Sequence, residues 1–335
     1  MKNNNLLVVV ATAIMIMMAA CSNQQKLNVE LWRASLENKW GFIDKQGEYV
    51  ISPQFYFAND FREGLAPVIL EEGGKEGYIN NRGKIVINPQ FDIAYPFKEG
   101  LASVKIGEKW GYINKHGKIV IKPQFGAAGD FKEGMARVYL DGKWGFIDKK
   151  GEFVVIPQYD HVVNFNEGLA LVEIDGKLGS VDRQCGFIDK HGKYVIEPQF
   201  NGAEVFSEDL ARVRLGFKWG FIDKQGKFVI NPQFDVAYNF SEGLASFKQD
   251  GKWGFIDKQG NIVINPQFES AFHFKEGLAP VKIDGKYGFI DKQGKIVIKP
   301  QFDYVHEFNK GVAEFSLDGK LGYVDRQGNV IYLQK

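Results

Sequence analysis

A short phrase that returns at a nearly constant interval constrains this chain more than any other feature. Residues 109–114 read Lys-Trp-Gly-Tyr-Ile-Asn, and residues 143–148 read Lys-Trp-Gly-Phe-Ile-Asp. Most intervals between successive phrases are 34 residues. One is 36, and one is 41 because an extra, partial copy of the phrase precedes it at 178–182. Aligned on its glycine, the phrase occurs nine times, at Gly41, Gly77, Gly111, Gly145, Gly186, Gly220, Gly254, Gly288 and Gly322. A fixed period in this range predicts a repeat architecture.

Each repeat predicts three short antiparallel strands and no helix. The Trp-Gly run is followed by a turn that an Asp or Asn opens, and a second run such as Ile119-Val120-Ile121 ends at Pro123-Gln124-Phe125. A loop of about nine residues with a Glu-Gly pair precedes the third run, Met135 to Tyr139. Asp141-Gly142 then gives a strong hairpin signal before the next Trp-Gly. We therefore expect an all-β chain of about nine three-stranded meanders.

The stacking of these units is predicted from their apolar residues. The second run is apolar at successive positions, as in Ile262-Val263-Ile264, which indicates that both faces are buried between neighbouring repeats. The chain also starts and ends with whole units, and nine exceeds the usual four to eight blades of a propeller. We expect an open solenoid or superhelix, with a propeller-like ring as the alternative. The Glu-Gly glutamates should form a ladder with nearby lysines.

The Trp-Gly pairs are interpreted as structural positions, although their rings could also stack on sugars. A buried Trp contributes a large apolar area against its neighbour. The same slot also accepts Cys185 and Leu321, which cannot stack on a sugar ring, so the core interpretation is favoured. The pairs are Trp40-Gly41, Trp110-Gly111, Trp144-Gly145, Trp219-Gly220 and Trp253-Gly254.

The N-terminus has the layout of an export signal. Lys2 precedes an apolar run from Leu6 to Met18, which is too short for a comfortable membrane span and ends in Ala19-Ala20-Cys21. This pattern resembles a lipoprotein signal, in which Cys21 becomes the first residue and carries acyl chains such as palmitate; the alternative is an ordinary signal peptide. We expect residues 1–20 to be removed, 21–28 to form a lipidated linker, and 29–335 to form the array.

The repeat as a whole resembles a known family. The consensus Lys-Trp-Gly-Phe-Ile-Asp-Lys-x-Gly-Lys-x-Val-Ile-x-Pro-Gln-Phe, followed by Phe-x-Glu-Gly-Leu-Ala, is similar to the bacterial WG-containing (KWG) repeat family from about Trp32 to the C-terminus. The resemblance implies an exported or surface protein with no known chemistry. Combined with the signal, it implies a lipoprotein of the cell envelope, in the outer membrane or at the cell surface, held stably in the membrane through Cys21.

Composition and motifs argue against several function classes. The 42 basic residues balance 41 acidic ones, so the chain lacks the excess of positive charge that is typical of nucleic-acid-binding proteins. The two cysteines exclude a disulfide scaffold, and the five histidines fall at variable positions. The recurring turn Asp supplies one carboxylate beside a Lys, which is poor for calcium. We therefore expect no cofactor, no metal and no enzymatic activity.

Binding is the function that remains, and the variable loop positions are the predicted contacts. Repeated weak sites add through effective concentration. A protein partner is the main hypothesis and a cell-wall glycan the alternative; the partner's identity and the oligomeric state stay open, with a monomer expected. The candidate ligand-binding residues are Tyr56, Tyr95, His161, Tyr238, His273 and Tyr304.

Overall fold

All regular elements in residues 30–174 and 184–334, the parts of the chain that this computed structural model describes, are β-strands. The predicted signal peptide and Cys21 lie outside these ranges, and so does the partial copy of the phrase at 178–182. Within the same ranges, no helix combines the length and apolar character that crossing a membrane would need.

The strands form nine separate antiparallel sheets in the described residues, here called blades 1 to 9 in chain order. Blade 1 contains β1 (Trp32–Leu36), β2 (Lys39–Ile43) and β3 (Tyr49–Phe55). The other eight blades have four strands each, of which the first has only two residues.

Their strands follow one another in sequence order. Blades 2 to 5 contain β4 (Phe57–Ala58), β5 (Leu65–Ile69), β6 (Glu76–Asn80), β7 (Ile85–Phe91); β8 (Ile93–Ala94), β9 (Leu101–Ile106), β10 (Lys109–Asn114), β11 (Ile119–Phe125); β12 (Ala127–Ala128), β13 (Met135–Leu140), β14 (Lys143–Asp148), β15 (Phe153–Tyr159); β16 (His161–Val162), β17 (Ala170–Ile174), β18 (Gln184–Ile188), β19 (Tyr194–Phe200). Blades 6 to 9 contain β20 (Gly202–Ala203), β21 (Ala211–Leu215), β22 (Lys218–Ile222), β23 (Phe228–Phe234); β24 (Val236–Ala237), β25 (Leu244–Gln249), β26 (Lys252–Asp257), β27 (Ile262–Phe268); β28 (Ser270–Ala271), β29 (Ala279–Ile283), β30 (Lys286–Ile290), β31 (Ile296–Phe302); β32 (Tyr304–Val305), β33 (Val312–Leu317), β34 (Lys320–Asp325), β35 (Val330–Leu333).

The prediction of an all-β repeat protein is confirmed, but the expected three strands per unit were too few. The two residues that were assigned to the long loop, such as Ala127-Ala128, pair with the following strand and open a new sheet. Each sheet thus combines the end of one repeat with the start of the next. Four-stranded meanders of this form are propeller blades. Nine blades in the described residues give the fold class of a nine-bladed β-propeller, the alternative above, and not the open solenoid that was the main expectation.

The described residues divide into two compact units, with the boundary between Gln90 and Phe91. Blades 1 and 2 belong to the first unit, apart from Phe91 at the end of β7, and blades 3 to 9 belong to the second. In the first unit, the core of Phe42, Ile51, Phe55 and Val68 joins blade 1 to blade 2.

In the second unit, the core also lies between neighbouring blades. Phe146 of blade 4 meets Phe165, in the loop that enters β17 of blade 5, edge to face with ring centroids 4.8 Å apart. Phe187 and Phe206 repeat this contact between blades 5 and 6 at 4.9 Å. Such aromatic pairs contribute about 0.5–1.5 kcal/mol beyond their buried area. The prediction that repeats cover one another's apolar faces is therefore confirmed within this unit.

The second long strand of each repeat is less buried than its sequence predicts. In β11, Ile121 is only 3% exposed, whereas Val120 is 43% exposed. The strand is the last in its sheet, so its first residues lie at an open edge and only the third packs against the next blade. The inference of burial on both faces was wrong for this reason.

The glycine of the Trp-Gly phrase is required by a close backbone approach. Between Trp144 and Phe146 the pairing with β15 shifts register, which marks a β-bulge. A Cβ on Gly145 would lie 2.4 Å from the Val155 carbonyl oxygen and 2.7 Å from the Pro157 nitrogen. Only glycine fits, and the same approach recurs at Gly111, Gly220 and Gly254.

The glutamates of the Glu-Gly turns connect successive blades. Gly277 of blade 8 donates its N–H to Glu242 Oε2 of blade 7 at 3.0 Å, and Lys292 Nζ lies 3.2 Å from the same oxygen. Glu242 has a φ of 54°, a left-handed conformation that is costly for a residue with a side chain. The predicted lysine ladder is confirmed here and in pairs such as Lys149 with Glu99 at 3.1 Å.

We predict that Gly145→Ala lowers the free energy of unfolding by about 1–3 kcal/mol, because the added methyl group must displace backbone atoms of β15. The urea midpoint of the chain lacking residues 1–25 measures this. Gly202→Ala is the matched control, since its Cβ would meet side-chain atoms no closer than 3.4 Å. Equal midpoints for the two variants would contradict the role assigned to the bulge.

We predict that Glu242→Gln costs about 1 kcal/mol at pH 7. Burial opposes ionisation of Glu242, but hydrogen bonds from Lys292 and Gly277 outweigh it and hold the pKa below its ordinary value. A lowered folded-state pKa stabilises the protein above the unfolded pKa, and this contribution is lost as pH falls through the folded pKa. Urea midpoints measured from pH 7 to pH 3 should therefore converge for the two proteins. A difference that persists at pH 3 would show that the charge is not responsible.

Candidate functional site

One face of the Trp ring is covered from within the protein in blades of both units. In blades 3 and 7 a Tyr stacks on it: Tyr95 on Trp110 at 5.3 Å and Tyr238 on Trp253 at 5.1 Å, with the ring planes 10° and 11° apart. In blades 1, 4 and 6 a guanidinium does so, as with Arg137 over Trp144 at 5.3 Å. This covering supports the structural interpretation of the Trp positions over sugar stacking.

The arginines that cover Trp rings also hold the next blade. Arg137 Nη1 donates to the Val162 carbonyl of blade 5 at 2.9 Å, and Arg212 Nη1 donates to the Ala237 carbonyl of blade 7. Arg212 additionally pairs with Glu204 at 3.1 Å. The guanidinium therefore combines cation–π contact with a backbone hydrogen bond across a blade junction.

In blades 6 to 9 these ring contacts continue from blade to blade. Arg212 lies 4.7 Å from the Trp219 ring and 5.4 Å from the Tyr238 ring, so it is placed between two rings of different blades. Tyr238 also contacts His273 of blade 8 at 5.4 Å. His273 Nδ1 lies 3.2 Å from Glu307 Oε1 of blade 9. The chain of contacts thus crosses three blade junctions.

A second group of rings adjoins the first in blades 8 and 9. Phe272 stacks on Tyr287 at 6.0 Å, and Tyr304 stands nearly perpendicular to both, with interplanar angles of 74° and 72°. Tyr304 also contacts His306 at 5.1 Å. We call the combined surface the aromatic ledge; it consists of Arg212, Trp219, Tyr238, Trp253, Phe272, His273, Tyr287, Tyr304, His306 and Glu307.

The ledge combines buried and accessible groups. Trp253 and Tyr287 are buried, whereas Tyr304 is 41% exposed and His306 is exposed. The hydrogen bond to His273 holds the pKa of Glu307 below its ordinary value, so this carboxylate is ionised at neutral pH. Burial and the Glu307 charge raise the pKa of Tyr304, which keeps its phenol neutral. The ledge can therefore offer ring faces, hydroxyl and imidazole groups, and one anion to a ligand.

The structure brings together three of the six predicted ligand-binding residues, Tyr238, His273 and Tyr304. Tyr95 belongs to blade 3, and His161 to blade 5, where its Nδ1 lies 3.5 Å from the buried Glu173. Tyr56 lies in the first unit and contacts Lys39, whose Nζ is 6.0 Å from the ring centroid.

Sequence reasoning missed Arg212, His306 and Glu307 as members of the ledge. A signal for Arg212 was available, because the equivalent strand position varies: it holds arginine in blades 1 and 4 but Ser103 and Ser246 in blades 3 and 7. Glu307 carries no such signal, since only the fold places it beside His273 of another blade.

Cys185 and the turn aspartate Asp148 both occupy structural positions. Cys185 takes the Trp position of blade 5 and is fully buried near Phe187 and Phe200, as its interpretation as a small hydrophobic residue predicts. Asp148 Oδ1 accepts the N–H groups of Lys150 and Glu152 at 2.9 Å, so it closes a turn. Among the described residues, no three His, Cys, Asp or Glu side chains form a group that could hold a metal ion.

These blades, with their covered Trp rings and bulge glycines, define a protein built from propeller blades. The sequence matches the family described as WG containing repeat at residues 40–73, 77–110, 110–144, 144–177, 186–218, 219–253, 253–287 and 287–320. The chain belongs to the WG containing repeat family, which confirms the resemblance found from the sequence.

Three solved structures are similar to this chain to different degrees. A eukaryotic initiation factor is similar with a TM-score of 0.65 at 9% identity, covering 92% of this chain and 96% of that one, and this likeness concerns the fold alone. Citrobacter koseri AztD gives 0.43 at 14% identity, covering 90% and 93%. The extracellular domain of a one component system from B. thetaiotaomicron gives 0.38 at 11%, covering 88% and 52%. No curated protein matches the sequence.

We predict that Arg212→Met destabilises the protein by about 1–2 kcal/mol more than Arg137→Met. Both variants lose a cation–π contact with a Trp and a hydrogen bond to the next blade, but only Arg212 also covers a second ring, Tyr238. Thermal unfolding of both variants against the unsubstituted protein provides the measurement. Equal losses would mean that the ledge is not held together through Arg212.

Proposed function

We propose that this protein is a non-catalytic, lipid-anchored protein of the bacterial cell envelope that binds a protein partner on the aromatic ledge. The export signal ending at Cys21 and the family resemblance support the location and the anchor. The repeat architecture supports binding, since such arrays present extended surfaces made from the positions that vary between repeats.

The observation that carries the choice of a protein partner is the inequality of the blades. If nine equivalent weak sites bound a repetitive polymer, the same residue types should recur at the same position in every blade. Instead, the position of Tyr238 is taken by Tyr95 in blade 3, Gly129 in blade 4 and Val163 in blade 5. Only blades 6 to 9 contribute to the ledge. A single patch rich in Tyr, Trp and Arg has the composition of protein-binding hot spots.

A cell-wall glycan is the second candidate, and one observation favours it. Tyr56, Tyr95 and Tyr304 are each about two-fifths exposed and lie in different blades, so their free ring surfaces could pack on separate sugar units. Under this alternative the three tyrosines contribute similarly, although only Tyr304 is part of the ledge.

We predict that Tyr304→Ala and His273→Ala each reduce retention of the partner by about tenfold, because hot-spot truncations cost at least about 1–2 kcal/mol. Tyr95→Ala is the matched control: this tyrosine is as exposed as Tyr304 but lies outside the ledge. The measurement is quantitative capture from envelope extract on the immobilised array that begins at Lys26, beside capture on isolated cell-wall glycan. Similar losses of glycan binding for Tyr95→Ala and Tyr304→Ala, with no protein retained, would favour the glycan and reject the ledge.

A further inference from the structure

One hairpin tip in the described residues carries an aromatic side chain. The tip lies between β21 and β22 of blade 6 and consists of Gly216-Phe217. The two-residue tip of blade 1 is Glu37-Asn38, and those of blades 3, 4, 7, 8 and 9 each contain one glycine and one acidic residue: Gly107-Glu108, Asp141-Gly142, Asp250-Gly251, Asp284-Gly285 and Asp318-Gly319. Because these repeats share one fold, they serve as internal references for what the turn itself requires. The turn does not require phenylalanine.

Phe217 is presented to solvent to an unusual degree. It is 86% exposed, the highest value of any large hydrophobic side chain in the described part of the chain, and the adjoining Leu215 is 50% exposed. The two side chains form a small apolar projection. Scattered single hydrophobic residues are common on surfaces, but an almost fully exposed aromatic ring at the end of a hairpin is not a result of packing.

The projection is held in a fixed position. Gly216 has a φ of 63°, which lets the chain reverse within two residues. Its N–H donates to Asn201 Oδ1 at 2.8 Å, and Arg214 Nη2 donates to the Asn201 carbonyl at 3.1 Å. Arg214 also lies over the Trp219 ring at 5.8 Å. A backbone that is already ordered at the tip reduces the conformational freedom lost when the Phe217 side chain is bound, which favours an anchor residue.

We propose that Phe217, flanked by Leu215, is an anchor that inserts into an apolar pocket of a protein partner, with acidic groups at the rim of that pocket facing Lys218. This proposal rests on the proposed function and names the chemistry of the partner's surface. Lys218 Nζ lies 2.5 Å from Asp235 and is about half exposed, so the base of the projection has a cation that an acidic rim can share.

Charge around the tip favours a protein pocket over a lipid surface. The corresponding tip of the next blade carries Asp250, and those of blades 8 and 9 carry Asp284 and Asp318. Each of these aspartates is followed two residues later by a lysine, and a flat membrane that received Phe217 would have to desolvate both kinds of charge at the neighbouring tips. A protein pocket can take one projection and leave the neighbouring tips in water.

One cleft beside a neighbouring tip is a poor receptor for the Phe217 ring of a second copy of this chain. A cleft of about 360 Å³ lies beside the corresponding tip of blade 7 and is lined mostly by polar side chains: Gln249, Asp250, Lys252, Ile262, Asn265 and Pro266. Placing a phenyl ring there would desolvate these groups without pairing them.

Photo-cross-linking in intact cells tests what lies beside the tip. The full chain carries p-benzoylphenylalanine at Leu215, next to the anchor, so that Phe217 itself stays native. The matched control carries it at Ile106, the equivalent position of blade 3. We expect one discrete protein adduct from position 215 and none from 106. Adducts only with lipid, only with a second copy of the chain, the same adduct from both positions, or none would each overturn the proposal.

Retention of that cross-linked protein by the purified full chain then measures the anchor. We expect Phe217→Ser to lower retention at least tenfold and Phe217→Leu to restore most of it, because burial of an apolar side chain drives the contact. Glu108→Ser is the control at an ordinary tip. Thermal midpoints should be unchanged, since the side chain makes little contact with its own protein. If the unsubstituted chain retains the protein but Phe217→Ser retains it equally, the anchor is wrong and the proposed function stands. If the unsubstituted chain retains no protein, both fail.

Discussion

Within each unit, the structure depends on one blade covering the apolar face of the next. A single four-stranded sheet of this size cannot bury its own Phe and Ile residues, and the edge-to-face pair of Phe146 with Phe165 shows where the missing surface comes from. Because a sheet joins the end of one repeat to the start of the following one, the chain connection itself passes between the faces that pack. The core is therefore a series of junctions with no common centre. No disulfide is needed to hold it, and Cys185 serves only as a small apolar residue in one junction.

Two devices make these junctions repeatable. The bulge glycine, as at Gly145, lets the last strand of a blade approach its neighbour closely. The Glu-Gly turn, as at Glu242, connects successive blades of the second unit through a carboxylate. The requirement for glycine at the bulge is steric and does not vary with pH. The hydrogen bonds of Glu242 depend on its carboxylate being ionised. The Trp ring also contributes to the junctions, because one of its faces is covered by either a Tyr ring or a guanidinium group. Because a Tyr and an Arg can replace each other over the Trp ring, two blade junctions can differ in chemistry while both stay packed.

The period, the turns and the strand identity could be predicted from sequence because each is set locally. Asp148 caps its own turn, and Asp141-Gly142 closes its own hairpin. The two-residue strand Ala127-Ala128 could not, since it is too short for an alternating pattern and is defined only by its pairing with β13. Burial of Val120 was misjudged for a related reason: an apolar run does not reveal whether its strand is central or at an edge. The ledge was predicted in part, because Tyr238 and Tyr304 are variable in sequence whereas the contact of His273 with Glu307 exists only in three dimensions.

Repetition also changes what a departure from pattern means. In a protein without repeats, an exposed Phe or a half-buried Arg has no reference, but here every position has counterparts in the same fold. Arg212 stands where blades 1 and 4 also have an arginine and blades 3 and 7 have a serine, so the fold accepts either residue type at this position. Arg212 departs from the other two arginines in that it also lies over a second ring, Tyr238. Phe217 occurs where other tips have a small or acidic residue. Both departures lie on the β21–β22 hairpin, which reaches from the aromatic ledge to the exposed tip. Of the hairpins that the structure describes, this one is therefore the strongest candidate for contact with a partner.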